Sequence, residues 1–126
     1  MKRIYNHSVH FRNPEGFEIF ELNTPVTARW HKNLRSEQSP TLFFMRWIGH
    51  EVFFDTEQAL VLDEVCKLSK LFPEKIVIYN FKDEKNPIWS CVRFRNGKVT
   101  WKCLNTKSVG MDTKKEFEKW LKKGSC

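Results

Sequence analysis

The chain has 126 residues, 40% of them hydrophobic and 29% charged, with eleven Phe and five Trp. That length and aromatic load suffice for one core without metal or disulfide staples, and they exclude an intrinsically disordered chain. Twenty-two Lys and Arg against fifteen Asp and Glu leave a formal charge of +7, which favours an anionic partner through attraction that salt screens.

Residues Ile4 to Phe11 alternate, with Tyr5, Val9 and Phe11 on one face and Asn6, Ser8 and His10 on the other; His7 is the polar exception on the apolar side. Period-two alternation predicts a strand, and Asn13-Pro14-Glu15-Gly16 breaks it. Over 14–22 two readings stay open: a short helix capped by Asn13, with Pro14 at its first position, or a second strand. Residues 23–41 hold Pro25, Pro40 and no clean period, and read as a long irregular loop carrying Arg29, Trp30, His31, Lys32 and Arg35. Those basic residues beside a Trp fit anion binding or partner docking, or Trp30 pins the loop to the core.

Leu42 to Ile48 and Glu51 to Phe54 are strand candidates that can pair across Gly49-His50. Asp55 or Thr56 is the expected cap of the next helix, with Gln58 completing a loose capping box. Val61, Val65, Leu68 and Phe72 follow helical spacing, Leu62 and Cys66 widen the stripe, and Pro73 stops the helix. Lys75 to Phe81 is β-branched and aromatic and fits an interior strand, with a polar turn over Lys82 to Pro87. Ile88–Arg95 and Lys98–Cys103 flank Asn96-Gly97, a strong hairpin signal because a type I′ turn requires positive φ at both positions.

With regular pairing, that turn sets Arg95 against Lys98, Phe94 against Val99, Arg93 against Thr100, Val92 against Trp101 and Cys91 against Lys102. One face then holds Val92, Phe94, Val99, Trp101 and Cys103, and packs on the core. The other holds Trp89, Cys91, Arg93, Arg95, Lys98, Thr100 and Lys102, and is basic. After a loop, Thr113 and Glu116 form a capping box for a helix over 113–123, with Phe117, Trp120 and Leu121 as its apolar stripe and Gly124 as its stop. The elements predict one α+β domain over 1–126, an antiparallel sheet with two or three helices on one face.

From Thr56 onward, the run Leu68-Ser69-Lys70-Leu71-Phe72-Pro73, the strand Ile76–Tyr79, the turn Lys82-Asp83-Glu84 and the hairpin turn Asn96-Gly97 resemble the YubB-type ferredoxin-like family of uncharacterised plasmid and phage proteins. The resemblance covers the middle of the chain; Glu57, Gln58 and Ala59 stand where that family has a Trp and Pro pair. It implies a split β-α-β arrangement and a mobile-element setting, and it implies no catalytic residues.

The four cysteines, Cys66, Cys91, Cys103 and Cys126, form no CxxC pair and no zinc spacing. The expected register separates Cys91 from Cys103, so free thiols in a reducing compartment are expected. The start of the chain, Met1 to His7, has no apolar h-region, and no apolar run approaches the ~20 residues of a transmembrane helix. A cytoplasmic protein without membrane contact is the expectation. His7, His10, His31 and His50 fall in no HExxH or triad pattern, and no P-loop, GxSxG or dinucleotide glycine pattern occurs. No cofactor or metal is expected.

The sharper signal is the basic hairpin face. Single-stranded nucleic acid is held by Lys and Arg on phosphates and by aromatics stacked on bases, and Trp89 with Arg93, Arg95, Lys98 and Lys102 supplies both. A solvated antiparallel face is also expected to be polar for its own sake. The leading expectation is a non-enzymatic binder of nucleic acid or a nucleoprotein, using these residues and Arg29, Trp30, Lys32 and Arg35. The alternatives are a protein-interaction module docking on an acidic surface, such as an inhibitor of a host defence complex, and a small metal-independent ribonuclease of toxin type. The sequence fixes no oligomeric state.

Overall fold

Strand β1 (Ile4–Arg12) lies inside a six-stranded sheet with β2 (Leu42–Ile48), β3 (Glu51–Glu57), β4 (Ile76–Asp83), β5 (Ser90–Arg95) and β6 (Lys98–Cys103). The order is β2-β3-β1-β4-β5-β6, and every neighbouring pair is antiparallel. The computed structural model describes residues 4–15, 42–48, 51–57, 60–105 and 111–126, with 42–48 and 111–113 through their backbone alone. The alternatives over 14–22, beyond the turn at 14–15, and the loop at 23–41 with its basic cluster lie outside the described residues. Two helices are described, α1 (Leu62–Leu71) and α2 (Met111–Lys123). No helix among the described residues is long and apolar enough to cross a membrane.

Both β3 and β4 run antiparallel to β1, one on each side, so they are parallel to each other. The chain passes between them through α1. The alternation of β1 decides its faces: Tyr5, His7, Val9 and Phe11 are buried in the core with Val52 and Phe54 of β3 and Val77, Tyr79 and Phe81 of β4. Val61, Leu62, Val65, Cys66 and Leu68 at α1 cover this face, joined by Phe117 of α2. Phe117 packs 5.5 Å from Phe81, and Trp120 meets Phe94 edge-on at 5.7 Å. The two helices therefore share one face of the sheet, and the other face carries no described helix.

A polar network centred on His7 sits within this core. His7 is 1% exposed and stacks at 4.7 Å on Phe54. Its Nδ1 lies 2.7 Å from the Tyr79 hydroxyl and its Nε2 2.7 Å from Thr56 Oγ1. A neutral imidazole satisfies both contacts: with Tyr79 O–H donating to Nδ1, Nε2–H donates to Thr56. Burial holds the His7 pKa down at about 3. The Tyr79 oxygen also accepts from Val61 N–H at 3.2 Å, at the start of α1.

This network corrects the expected helix start. β3 continues through Asp55 and Thr56 to Glu57, where the sequence reading begins a helix. Thr56 keeps the strand's alternation, pairs with Tyr5 and supplies the hydroxyl that His7 needs. The helix starts at Leu62 with no side-chain cap, and the Tyr79 hydroxyl takes the Val61 N–H instead. In α2, Thr113 likewise lies within the helix and not at its cap. β4 also extends through Lys82 and Asp83, into the expected polar turn.

The hairpin turn forms as the sequence requires, with φ of 49° at Asn96 and 78° at Gly97. The pairs Arg95–Lys98 and Phe94–Val99 follow. Beyond them Arg93 faces Trp101, Val92 faces Lys102 and Cys91 faces Cys103, so Thr100 is an extra residue in β6. The expected regular register is wrong from this point outward. Because side chains alternate with period two, one inserted residue exchanges the two faces of the rest of the strand. β6 is the outermost strand, where the insertion disturbs a single ladder, and the Thr100 hydroxyl donates to Arg93 O at 3.4 Å.

The tip of this hairpin is clasped. Gly97 is buried, and its N–H donates to Ser69 Oγ of α1 at 2.8 Å while its carbonyl accepts from Cys126 N–H at 3.2 Å. Cys126 is disulfide-bonded to Cys66, with a Cα–Cα distance of 6.0 Å. This corrects the expectation of four free thiols: α1 and the residues after α2 converge on Gly97, which brings together two cysteines 60 positions apart. Neither sulfur then carries a proton, so the 3.2 Å approach of Cys66 Sγ to Gly97 O is packing.

Candidate functional site

The open sheet face is built in cross-strand rows, with strands about 4.8 Å apart and successive rows about 6.6 Å apart. One row runs Glu51, His10, Ile78, Arg93, Trp101 across five strands. The next runs Phe53, Ser8, Asn80, Cys91, Cys103, and a third joins Asp55, Asn6 and Lys82. On the outer side of the first row, Arg12 pairs with Ile76, and Arg95 with Lys98.

Charge is graded along these rows. At the β3 and β1 side the carboxylates are engaged by neighbours. Ser8 Oγ donates to Glu51 Oε1 at 2.5 Å, His10 Nδ1 lies 3.6 Å from the same oxygen, and Asn6 Nδ2 donates to Asp55 Oδ1 at 2.8 Å. At the β5 and β6 side the charges are cationic. Arg93, Arg95 and Lys98 are exposed. Two strands away, Arg12 at the end of β1 has a buried Nε–H with no hydrogen-bond partner among the described residues.

Two indoles accompany these cations. Arg93 lies over the Trp101 ring, 4.8 Å from its centroid, and Trp101 is 46% exposed. Lys82 Nζ lies 5.3 Å from the centroid of Trp89, itself 40% exposed, and donates to Asn6 Oδ1 at 3.0 Å. Trp89 precedes β5 and does not belong to the strand. A guanidinium over an indole is a favourable cation–π pair, and guanidinium N–H donors suit an oxyanion.

Of the residues singled out in the sequence, Arg93, Arg95 and Lys98 fall together, with Trp89 beside Lys82. Lys102 does not belong with them: the extra Thr100 sets it opposite Val92, whose side chain faces the helices. Arg29, Trp30, Lys32 and Arg35 lie outside the described residues. Trp101, Lys82 and Arg12 are additions: the regular register assigns Trp101 to the core, Lys82 falls in the expected polar turn, and Arg12 lies one residue past the expected end of the first strand. No local sequence signal marks the bulge.

The side chains considered for acid–base work are placed otherwise. Of the four histidines, His7 is buried in the core and His10 is half-buried beside Glu51. His31 and His50 lie outside the described residues. Among the described residues no group of three or more His, Cys, Asp and Glu could hold a metal ion. No family model, curated protein or solved structure matches the chain.

Proposed function

We propose that this chain is a non-enzymatic binding protein that engages nucleic acid, alone or in a nucleoprotein, through the cationic, indole-bearing side of its open sheet face. The observation that carries this reading is the Arg93–Trp101 pair, flanked by Arg95 and Lys98 and extended by Lys82 with Trp89. Cations on phosphates and indoles under bases are the two elements of single-strand binding, and no base-specific readout is required of them. The ferredoxin-like relationship and the mobile-element setting belong to the same proposal. The passage from β3 through α1 to β4, with β1 between the two strands, supports the first.

The test is a titration of the protein with single-stranded oligonucleotides while Trp emission is followed. Binding quenches the emission, and Trp89→Ala with Trp101→Ala removes most of the quench along with the affinity. Unchanged emission at saturating oligonucleotide, or an unaffected double variant, would sink the reading.

A second reading rests on a specific feature. Ile88, Trp89 and Trp101 are all exposed large hydrophobics on or beside this face, a composition that also suits docking on a protein. A protein partner retained at high salt and after nuclease treatment would favour it.

A further inference from the structure

Two of the four cysteines are bonded in the clasp around Gly97, and the other two meet on the open face. Cys91 and Cys103 are direct cross-strand partners in β5 and β6, and both are free. Directly opposed residues of an antiparallel pair have Cα atoms about 4.5–5.5 Å apart, inside the roughly 4.4–6.8 Å span that a disulfide bridges. Their side chains leave the same face of the hairpin, because the extra Thr100 brings Cys103 to the side of Cys91. The pair is reachable: Cys103 is exposed and Cys91 half-buried.

We propose that Cys91 and Cys103 are a redox-active dithiol that reacts with low-molecular-weight disulfides and closes into a cross-strand disulfide. This site is independent of the nucleic-acid reading. The two thiols differ in access, and the difference orders the steps. The Cys103 thiolate attacks one sulfur of the external disulfide, forming a mixed disulfide and releasing one small thiolate. The Cys91 thiolate then attacks the Cys103 sulfur, forming the Cys91–Cys103 bond and releasing the second. Two protein thiols and one external disulfide become one protein disulfide and two small thiols, so the external disulfide is reduced by the two electrons the protein gives up.

The surroundings suit these roles. Burial pushes the Cys91 thiol up, with Arg93 acting in the opposite direction, so Cys91 is the slower, resolving thiol. Asn80 lies on the other side of Cys91 in the same row, and among the described residues no carboxylate is a cross-strand partner of either cysteine.

The experiment incubates the purified chain with oxidised glutathione and maps its non-reduced tryptic peptides by mass. Trypsin cuts after Lys85, Arg93, Lys102 and Lys107, which places Cys91 and Cys103 in separate peptides. Wild-type protein is expected to lose two hydrogens and to link those peptides while the Cys66–Cys126 link is kept. Cys91→Ser is expected to stop at a glutathione adduct on Cys103, and Cys103→Ser to lose the linked species entirely. Wild-type protein with both thiols free, with two separate adducts, or with either cysteine crossed to Cys66 or Cys126 would overturn the proposal. The wild-type map decides the matter even where a serine variant fails to fold.

Discussion

The Arg93 guanidinium rests over the Trp101 ring because Thr100 is an extra residue in β6. Without that insertion Trp101 would face the helices, and the cationic side of the sheet would lack one of its two described indoles. Trp101 is half in solvent and its removal opens no cavity in the core, so Trp101→Ala is expected to cost about 0.5–1 kcal/mol of stability, the scale of an exposed cation–π pair. The same change is expected to weaken single-stranded oligonucleotide binding by about 1–3 kcal/mol, the scale of one stacked base. Urea unfolding and fluorescence anisotropy measure the two separately.

His7 gives the fold a pH dependence of definite sign. Its pKa is about 3 in the folded chain, against an ordinary value of 6.5. As pH falls, the unfolded chain takes up this proton first, so the stability from neutral His7 is complete above about pH 6.5 and is lost towards pH 3. The loss is expected to approach about 1.4 kcal/mol per pH unit in that window. An NMR titration in which the His7 imidazole is protonated at pH 5.5 with the fold intact would refute this.

The clasp on the hairpin tip predicts two further losses. Reducing Cys66–Cys126, or substituting Cys126→Ser, is expected to cost about 2–4 kcal/mol, as a long closed loop is released in the unfolded chain. Urea unfolding with and without a thiol reductant should differ for the wild type and coincide for the variant.

Ser69→Ala is expected to cost about 1–3 kcal/mol by leaving the buried Gly97 N–H without its acceptor. A midpoint within experimental error of the wild type would contradict the assigned hydrogen bond.

What was legible in the sequence is what local chemistry decides. The alternation of Tyr5, His7, Val9 and Phe11 marks a strand wherever it pairs, and Val61, Val65 and Leu68 mark one helix face. Asn96-Gly97 dictates its turn and the first two pairs beyond it, which is why Arg93, Arg95 and Lys98 were found together. What was hidden depends on partners remote in the chain. Thr56 stays extended because it serves His7, 49 positions away, and Cys126 finds Cys66 only once α1 and the residues after α2 converge on Gly97. The extra residue at Thr100 belongs to the packing of an edge strand, where pairing rules are relaxed, so Lys102, Trp101 and Cys103 were assigned to the wrong faces.

The most direct test of the account is the salt dependence of single-strand binding in the wild type and in an Arg93→Glu, Arg95→Glu, Lys98→Glu variant. Each phosphate neutralised contributes about −0.7 to the slope of log affinity against log salt on single strands. The wild type is expected to bind with a steep negative slope, and the variant to lose about 2 of that slope along with most of its affinity. Equal affinities and slopes for the two proteins, or wild-type binding indifferent to salt, would contradict a nucleic-acid interface on this face.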